Sequence, residues 1–378
     1  MSQHHPRLYI IAGEASGDLH GSNLLAALKG LNPLVETRCW GGDLMKNEGA
    51  TIVKHISELA FMGFVEVLFN LRTILKNIEF CKRDILEYKP DVLVLIDYPG
   101  FNLRIAEWAK KNNILVHYYI SPQVWAWKKS RVYKIKKSVD KMYTILPFEN
   151  AFYQKFDYTT EYVGHPLLDE IEKQAKNPID RSEFQAKNQL SDQPIIALLP
   201  GSRKQEIHVK LPIMLEAVKN FPNYQIVIAG APNQSGDMYQ EFESLGVSII
   251  FGQTYDLLKL SELAIVTSGT ATLETALFSV PQVVCYKGSW ISYSIARLLI
   301  KIKYISLVNL IMDRLVVKEL IQQDCTAQKI RNEIQLLIEN KEYRQTMISN
   351  YKEMSTLLGQ GGASQKVAQS LLKTISKG

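Results

Sequence analysis

A carboxylate follows a short apolar run in the first half of the chain. Residues 92–97 have the sequence VLVLID, so Asp97 ends a predicted buried strand and precedes Tyr98, Pro99 and Gly100. Partial removal from water would raise the pKa of this carboxyl group and suit it to act as a general base on a hydroxyl. Position alone would equally suit a residue that caps the next turn. The sequence leaves both roles open.

Two loops of small and hydroxyl residues follow apolar runs in the second half. Residues 199–203 have the sequence LPGSR, and residues 267–274 have the sequence TSGTATLE. Backbone N–H groups at a helix start can hold a phosphate, and Arg203 adds a charge that pairs with one. Glu274, one turn into its predicted helix, could accept hydrogen bonds from ribose hydroxyls. Either loop alone could be a helix cap, but two of them with an acid favour a nucleotide site.

A third loop, residues 13–18, has the sequence GEASGD and follows the first apolar run. Its small residues would let a ligand approach the backbone at a helix start. It matches neither the dinucleotide pattern GxGxxG nor a Walker-type phosphate loop. The alternative is an ordinary turn with Ser16 or Asp18 as the helix N-cap.

Two stretches could contact anionic or apolar partners. Residues 121–128, SPQVWAWK, open a basic run that extends to Lys141. Such a run is usually a solvated helix face, but beside two tryptophans it could attract phosphorylated or membrane-surface ligands. No nucleic-acid module accompanies it, so nucleic acid is not an expected partner. Residues 63–89 are apolar on more than one helical face, which fits either buried core or a membrane interface with basic flanks.

Composition and patterning restrict the protein class. The chain has 378 residues, a net charge of +6 and no apolar run of 18 residues, so a spanning helix is not expected. The four cysteines are far apart and the histidines lack the spacing of metal ligands, so the sequence gives no support for a metal site. The scattered cysteines also favour a reducing cytosol as the compartment. A serine hydrolase is unsupported because GxSxG is missing.

Apolar runs alternate with helical patterns, which predicts parallel sheets covered on both faces. The pattern restarts after residue 194, so the fold class is α/β, with two doubly wound Rossmann-like domains that face a central cleft. The predicted domains are residues 1–170, residues 171–345 and C-terminal helices at 346–378 that pack back on the first domain. Ligands are expected at the carboxyl ends of the strands.

The ordered motifs AGEASGD, IDYPGFN, SPQVWAWK, LPFE, GHPL, LPGSR and SGTATLE extend over nearly the whole chain. Together they resemble the lipid-A-disaccharide synthase family, inverting glycosyltransferases of the two-domain GT-B type. The resemblance implies transfer of a 2,3-diacylglucosamine unit from UDP-diacylglucosamine to 2,3-diacylglucosamine 1-phosphate (lipid X). The implied product is β-1,6-linked. It also implies action at the inner membrane surface from the cytoplasm, without a cofactor or metal. The oligomeric state stays open, with a homodimer as one option.

The resemblance assigns roles to individual residues. Asp97 is the implied base, with Glu14 and Ser16 near the reacting sugars. Implied substrate and UDP contacts are Gly201, Ser202, Arg203, Ser268, Gly269, Thr270, Ala271, Thr272, Glu274, Asn309 and Gln322. The expected membrane or acyl-chain contacts are Phe64, Val65, Leu68, Phe69 and Leu71.

Two residues depart from the family pattern, in which Pro is common at the position of Val308 and Asp at the position of Gly100. The first departure concerns the shape of a loop. The second leaves Asp97 as the one carboxylate of its motif. Two other functions remain alternatives: a UDP-sugar 2-epimerase and a non-catalytic nucleotide-sugar binding protein at the membrane. Release of UDP that depends on an acylated acceptor would separate them.

Overall fold

The computed structural model describes residues 5–59, 71–127, 129–175, 179–231, 236–243, 246–288 and 302–376. The chain divides into two compact units. Unit 1 comprises Met1–Asp169 and Gln360–Gly378, and unit 2 comprises Glu170–Gly359. The predicted start of the C-terminal helices at residue 346 differs from this division, because a helix at Lys341–Leu358 packs within unit 2 and only the last helix belongs to unit 1.

Unit 1 contains a parallel sheet of seven strands in the order β3-β2-β1-β4-β5-β6-β7. Its strands are β1 (Arg7–Ala12), β2 (Glu36–Gly41), β3 (Thr51–His55), β4 (Val92–Ile96), β5 (Leu115–Tyr119), β6 (Lys141–Thr144) and β7 (Glu161–Tyr162). Its helices are α1 (Ala15–Leu31), α2 (Asp43–Asn47), α3 (Leu71–Tyr88), α4 (Pro99–Lys111), α5 (Val124–Trp127), α6 (Arg131–Ser138), α7 (Glu149–Gln154), α8 (Leu167–Ala175, across the unit boundary) and the C-terminal helix (Ala363–Ile375).

Both faces of this sheet are buried. Tyr9 and Ile11 of β1 pack in the core beneath α3, α4 and α6, whereas Leu8 and Ile10 pack in the core beneath α1 and the C-terminal helix. Successive strand residues point to opposite faces, so covering both faces favours apolar residues at positions 8–12 of β1, and only Arg7 at its start is charged. This explains why the central strands appear in the sequence as uninterrupted apolar runs.

Unit 2 contains a parallel sheet of six strands in the order β10-β9-β8-β11-β12-β13. Its strands are β8 (Ile195–Leu199), β9 (Gln225–Gly230), β10 (Ser248–Phe251), β11 (Ser261–Thr267), β12 (Gln282–Tyr286) and β13 (Lys318–Ile321). Its helices are α9 (Arg181–Lys187), α10 (Lys204–Val218), α11 (Gln240–Glu243), α12 (Thr254–Leu260), α13 (Thr270–Leu277), α14 (Leu307–Met312), α15 (Ala327–Glu339) and α16 (Lys341–Leu358). Short 3-10 turns lie at Ile56–Glu58, Gly236–Tyr239 and Gln322–Asp324.

The strand order reverses direction once in each sheet. In unit 1 the reversal lies between β1 and β4, and in unit 2 it lies between β8 and β11. At such a point the loops that follow the two strands diverge and leave a crevice at the carboxyl edge, where α/β proteins bind ligands. The predicted loops at residues 13–18, 97–102, 199–203 and 267–274 follow these four strands.

Four strands contain polar residues and do not form continuous apolar runs: β2, β3, β7 and β13. Three of them lie at sheet edges, where one side of the strand is less covered and polar residues are tolerated. The fourth, β2, begins with exposed Glu36 and contains Arg38, whose guanidinium forms a two-point ion pair with Asp84 of α3. Among the residues that the structure describes, no helix is long and apolar enough to cross a membrane.

Candidate active site

The turn after β4 presents Asp97 in an uncommon backbone conformation. Asp97 and Tyr98 have φ values of +43° and +50°, a region that bulky residues adopt only under strain. The carbonyl oxygen of Asp97 accepts hydrogen bonds from the Asn102 side-chain amide at 2.7 Å and from the Tyr118 hydroxyl at 2.5 Å. The backbone N–H of Asp97 donates to Tyr119 at 3.1 Å. The surrounding structure therefore fixes the direction of the Asp97 side chain.

Asn102 and Tyr118 are residues of this site that the sequence analysis did not identify. Asn102 is fully buried, and its amide nitrogen also lies 3.2 Å from the carbonyl oxygen of Ile96. Its place in the IDYPGFN motif, five residues after Asp97, was the available signal. Tyr118 lies on β5, and no sequence signal points to it, because its link to Asp97 depends on the pairing of strands β4 and β5.

The environment of the Asp97 carboxylate changes its acidity. Burial and, to a smaller extent, the negative charge of Glu14 raise the pKa of Asp97 from 3.8 to about 6, while the Tyr98 backbone N–H opposes the shift. A carboxylate with this pKa is ionised at neutral pH and is a stronger base than an ordinary aspartate. This side chain can therefore take a proton from a hydroxyl group.

Glu14 and Asp97 come together because the loops after β1 and β4 pack closely. A Cβ atom at Gly13 would overlap the ring of Tyr98, so the glycine is required for this approach. Glu14 is the N-cap residue of α1 and makes no side-chain capping bond, and Ser16, the second residue of α1, is exposed.

The N-cap roles considered for Ser16 and Asp18 are wrong, because α1 begins at Ala15. Asp18 instead lies inside the helix and accepts hydrogen bonds from the backbone N–H groups of Gly42, Leu44 and Met45. It thereby holds the start of α2 against α1, and its role is structural.

A pocket of about 410 Å³ lies at the carboxyl ends of β8 and β11 in unit 2. The predicted UDP contacts that line it are Gly201, Ser202, Arg203, Ser268, Gly269, Thr270, Ala271 and Glu274. Thr272 faces the interior, where its hydroxyl donates to the carbonyl of Gly269 at 2.8 Å. The two loops that the sequence separates by more than sixty residues thus form one pocket.

Both loops depend on glycine. Gly201 has a φ of +111°, and a Cβ there would overlap the Glu206 carboxylate. Gly269 has a φ of +151° and is the N-cap residue of α13. Residues with a side chain rarely adopt these backbone conformations. Glycine at these positions therefore lets the backbone N–H groups line the pocket.

One exposed cation, Arg203, lines the pocket. The Arg203 side chain is 63% exposed, and its Nη1 lies 3.7 Å from Glu206 Oε1. Glu206 Oε2 lies 3.8 Å from Nζ of Lys210, a buried lysine whose pKa is lowered by burial. Glu206 is therefore shared between two cations, and Arg203 keeps an exposed guanidinium that suits a phosphate.

Glu274 is a partly buried acid of this pocket. Its Oε1 accepts a hydrogen bond from the Tyr255 hydroxyl at 2.8 Å, and burial raises its pKa although this bond opposes the shift. A carboxylate at the pocket wall can accept hydrogen bonds from hydroxyl groups, and the ribose role of Glu274 stays a prediction.

Asn309 and Gln322 have structural contacts instead of pocket positions. The Asn309 amide donates to Val317 and Glu319, and its oxygen accepts from the backbone of Val316 and Val317.

Gln322, in the left-handed region with φ of +50°, exchanges two hydrogen bonds with the backbone of Gly288. Val308, the departure from the family pattern, is fully buried on α14. The contacts of Asn309 and Gln322 hold the chain around β13 of unit 2, and their predicted ligand contacts stay predictions.

The expected membrane contacts Phe64, Val65, Leu68 and Phe69 lie outside the described residues, as does the side chain of Leu71. The part of the 63–89 segment that is described is mixed. Ile78, Cys81 and Ile85 of α3 are core residues, whereas Leu75 is 56% exposed. No group of three or more potential metal-binding side chains is found in the described ranges.

The chain is similar to known proteins over nearly its whole length. A family model described as lipid-A-disaccharide synthetase matches residues 8–374. A lipid-A-disaccharide synthase of Coxiella burnetii (strain Dugway 5J108-111) is 39% identical over 366 residues, with 95% of this chain and 96% of the relative covered. One from Myxococcus xanthus (strain DK1622) is 37% identical over 381 residues, with 99% and 98% covered.

Solved structures of other enzymes share the fold. A UDP-GlcNAc 2-epimerase from Neisseria meningitidis, bound to UDP-GlcNAc, has a TM-score of 0.68 at 16% identity, with 97% of this chain and 100% of that chain covered. The glycotransferase of kitacinnamycin has a TM-score of 0.65 at 10% identity, with 98% and 100% covered. The two α/β units are therefore of the GT-B type. From its match to the family model and its relatives, the chain belongs to the lipid-A-disaccharide synthetase family and is a glycosyltransferase of lipid A synthesis.

Proposed function

We propose that the protein transfers a 2,3-diacylglucosamine unit from UDP to the 6-hydroxyl of 2,3-diacylglucosamine 1-phosphate, with inversion and formation of a β-1,6 linkage. The family supports the reaction class, and the motifs shared with it support the two substrates. The observation that carries the proposal is Asp97, a fixed carboxylate with a pKa of about 6 at the switch point of unit 1.

Inversion by direct displacement needs one base and a stabilised leaving group. In the proposed step the Asp97 carboxylate takes the proton of the 6-hydroxyl while that oxygen bonds to the anomeric carbon. The bond from the anomeric carbon to the UDP oxygen breaks, and its electron pair leaves with UDP. The step uses no metal or cofactor.

The UDP site that we assign is the pocket of unit 2. The backbone N–H groups after β8 and β11 and the Arg203 guanidinium suit a pyrophosphate, because they meet negative charge with fixed dipoles and a cation. We assign the ribose hydroxyls to Glu274. In this assignment, charge that develops on UDP as the bond breaks is stabilised by the same groups.

The test is release of UDP from UDP-2,3-diacylglucosamine, with and without 2,3-diacylglucosamine 1-phosphate. We expect release only with the acylated acceptor, and none with its deacylated counterpart. Isomerised UDP-sugar without acceptor would instead identify a 2-epimerase. Binding of the donor without turnover under any condition would identify a nucleotide-sugar binding protein. The linkage of the product, determined by NMR, checks the β-1,6 assignment.

We further propose that the protein acts as a peripheral protein at the cytoplasmic face of the membrane where its acylated substrates reside. The first turns of α3 support this, because Arg72, Leu75 and Lys76 are exposed there. Basic side chains near an anionic surface contribute about 1 kcal/mol each.

The membrane proposal is tested with Val65, Leu68 and Phe69 changed together to Ser. We expect weaker sedimentation with anionic liposomes and an unchanged melting temperature. Leu357→Ser, at an exposed leucine of α16, is the matched control and should sediment like the wild type. A collapse of the melting temperature in the triple variant would mean that these residues are core, since each buried large-to-small change costs about 2–5 kcal/mol.

A further inference from the structure

A second carboxylate, Glu149, is buried at the edge of the unit 1 sheet that carries Asp97. It is the first residue of α7, follows β6, and is 1% exposed. Its Oε2 accepts hydrogen bonds from the backbone N–H groups of Ile145 at 3.1 Å and Leu146 at 2.9 Å. A buried charge without such donors would be strongly unfavourable. Glu149 therefore organises the chain around it and cannot touch a substrate itself.

The other partners of Glu149 come from a different loop. Its Oε1 accepts a hydrogen bond from the indole Nε1 of Trp125 at 3.2 Å, and a further hydrogen bond joins it to the Ser121 side chain. Trp125 also packs edge-on against Phe148, with ring centroids 5.0 Å apart. Glu149 thus connects the end of β6 to residues 121–127, hereafter the 121–127 segment, which follows β5.

The 121–127 segment lies next to the base along the sheet. Strands β4 and β5 are neighbours, and their register pairs Ile96 with Tyr119. Tyr118 on β5 donates to the Asp97 carbonyl, and the backbone N–H of Asp97 donates to Tyr119. The segment that Glu149 holds therefore starts two residues beyond the strand that fixes Asp97.

Titratable neighbours of Glu149 are tyrosines. Tyr153 lies on α7, the helix of Glu149, and its hydroxyl forms a hydrogen bond of 2.7 Å with the Ser121 hydroxyl. The negative charge of Glu149 contributes to raising the pKa of Tyr162 on β7. Burial raises the pKa of Glu149 to about 7, although the hydrogen bonds from Leu146, Ile145, Trp125 and Ser121 oppose the shift. A protonated Glu149 would have less capacity to accept hydrogen bonds from these donors. All of its hydrogen bonds to the 121–127 segment and to the end of β6 therefore form only when Glu149 is ionised.

We propose that Glu149 is a positioning residue, which acts through Trp125 and Ser121 to hold the 121–127 segment in the shape that binds the sugar acceptor of unit 1. This inference rests on the proposed function. Glu149→Gln keeps the shape of the side chain but presents an amide donor to groups that are already donors. We expect the KM for the acceptor to rise about tenfold or more, with UDP affinity unchanged because the UDP pocket lies in unit 2.

The matched control is Glu161→Gln, which removes a carboxylate of the neighbouring strand β7 that is 42% exposed and paired with Lys141. It should leave the acceptor KM within twofold of wild type. Trp125→Phe keeps an aromatic ring and removes only the N–H donor. Because Glu149 acts through Trp125, the losses in Glu149→Gln and Trp125→Phe should not add in the double variant. Additive losses, or an unchanged acceptor KM in Glu149→Gln, would overturn the proposal.

A spectroscopic readout is independent of turnover. Tryptophan emission of the wild type should titrate with a midpoint near pH 7, and this transition should be absent from Trp125→Phe and from Glu149→Gln. If Glu149→Gln does not fold, Trp125→Phe alone decides, and an unchanged acceptor KM in it overturns the proposal. If the wild type releases no UDP with the acceptor, the proposed function fails. The emission titration then still tests the link between Glu149 and Trp125, and its absence from the wild type counts against that link.

Discussion

The two units have the same strand order up to their sixth strand but carry opposite chemistry at their switch points. In unit 1, the loops after β1 and β4 bring together two carboxylates, Glu14 and Asp97, and raise the pKa of the latter. In unit 2, the loops after β8 and β11 bring together glycines, hydroxyl residues and an exposed arginine. In the proposed function, one edge holds the base and the other receives the UDP pyrophosphate.

This difference originates in which backbone conformations each loop uses. Unit 1 places non-glycine residues, Asp97 and Tyr98, in the left-handed region, where side chains are held by surrounding bonds. Unit 2 uses glycines at 201 and 269, where a side chain would be strained, so the backbone of its loops can line the pocket beside the arginine and hydroxyl side chains. A shared topology therefore fixes where ligands bind, whereas loop composition fixes what is done to them.

Removal of the base is the most severe test of the unit 1 edge. Asp97→Asn should lower turnover by about 10² to 10⁴-fold, because asparagine cannot take the hydroxyl proton. Asparagine tolerates the left-handed conformation, so the fold should persist. Steady-state kinetics measures the loss, and near-normal turnover would refute the assignment.

The same variant should be more stable than the wild type at neutral pH. The pKa of Asp97 is about 6 in the folded state and near 3.8 in the unfolded state. The free energy of unfolding therefore falls as the pH rises through this range, because the folded state holds the proton more tightly. The penalty is on the order of 1–3 kcal/mol above pH 6 and disappears below pH 4. Urea unfolding of Asp97→Asn at pH 7.5 and pH 4 should show a gain only at the higher pH.

Loss of the cation at the other edge should have the next largest effect. Arg203→Ala removes a charge-assisted contact to phosphate, so UDP binding or transfer should weaken by a few kcal/mol, roughly 10²-fold. Calorimetric titration of UDP measures binding, and kinetics measures transfer. Lys219→Ala, at an exposed lysine of the same unit, is the control and should leave both unchanged. Wild-type values for Arg203→Ala in both measurements would contradict the role.

How far the sequence predicts the fold depends on burial. Each of the central strands β1, β4, β8 and β11 contains a continuous apolar run because both sheet faces are covered, and a single sequence reveals these runs. Edge strands such as β3 and β13 mix polar and apolar residues, so a search for continuous apolar runs does not find them. The unit boundary at Gly359 was missed because a helical pattern does not say which sheet the helix covers.

Candidate site residues were predictable where the residue type and its place after a strand themselves indicate a role. Asp97 and Arg203 follow strands, and their chemistry can be inferred from type and position. Asn102, Tyr118 and Glu149 contact other residues of the chain, and these partners lie on neighbouring strands or loops that only the folded chain brings near. Thr272 shows the converse, since a hydroxyl within a phosphate-type loop faces the core.

A smaller effect is expected from replacing a glycine whose backbone conformation requires it, compared with a glycine that a larger residue could replace. Gly201→Ala must accommodate a φ of +111° and overlap with Glu206, so UDP affinity should fall about tenfold, on the scale of 1–3 kcal/mol of strain. Gly100→Ala is the matched control, because a Cβ there meets no atom within 4 Å and the residue lies in helix α4. It should be neutral or stabilising by up to about 1 kcal/mol. Equal losses in both variants would refute the distinction.

The smallest effect tests whether the two carboxylates of unit 1 act on each other. Glu14→Gln removes the negative charge that helps to raise the pKa of Asp97, so that pKa should fall. The base must be ionised, so wild-type kcat/KM should decline as the pH drops below about 6, and in Glu14→Gln this decline should move to lower pH by up to about one unit. Ser16→Ala, an uncharged change at an exposed neighbour, should leave the midpoint in place. An acid limb that does not move in Glu14→Gln would mean that burial alone sets the basicity of Asp97, and that Glu14 has another part in the reaction.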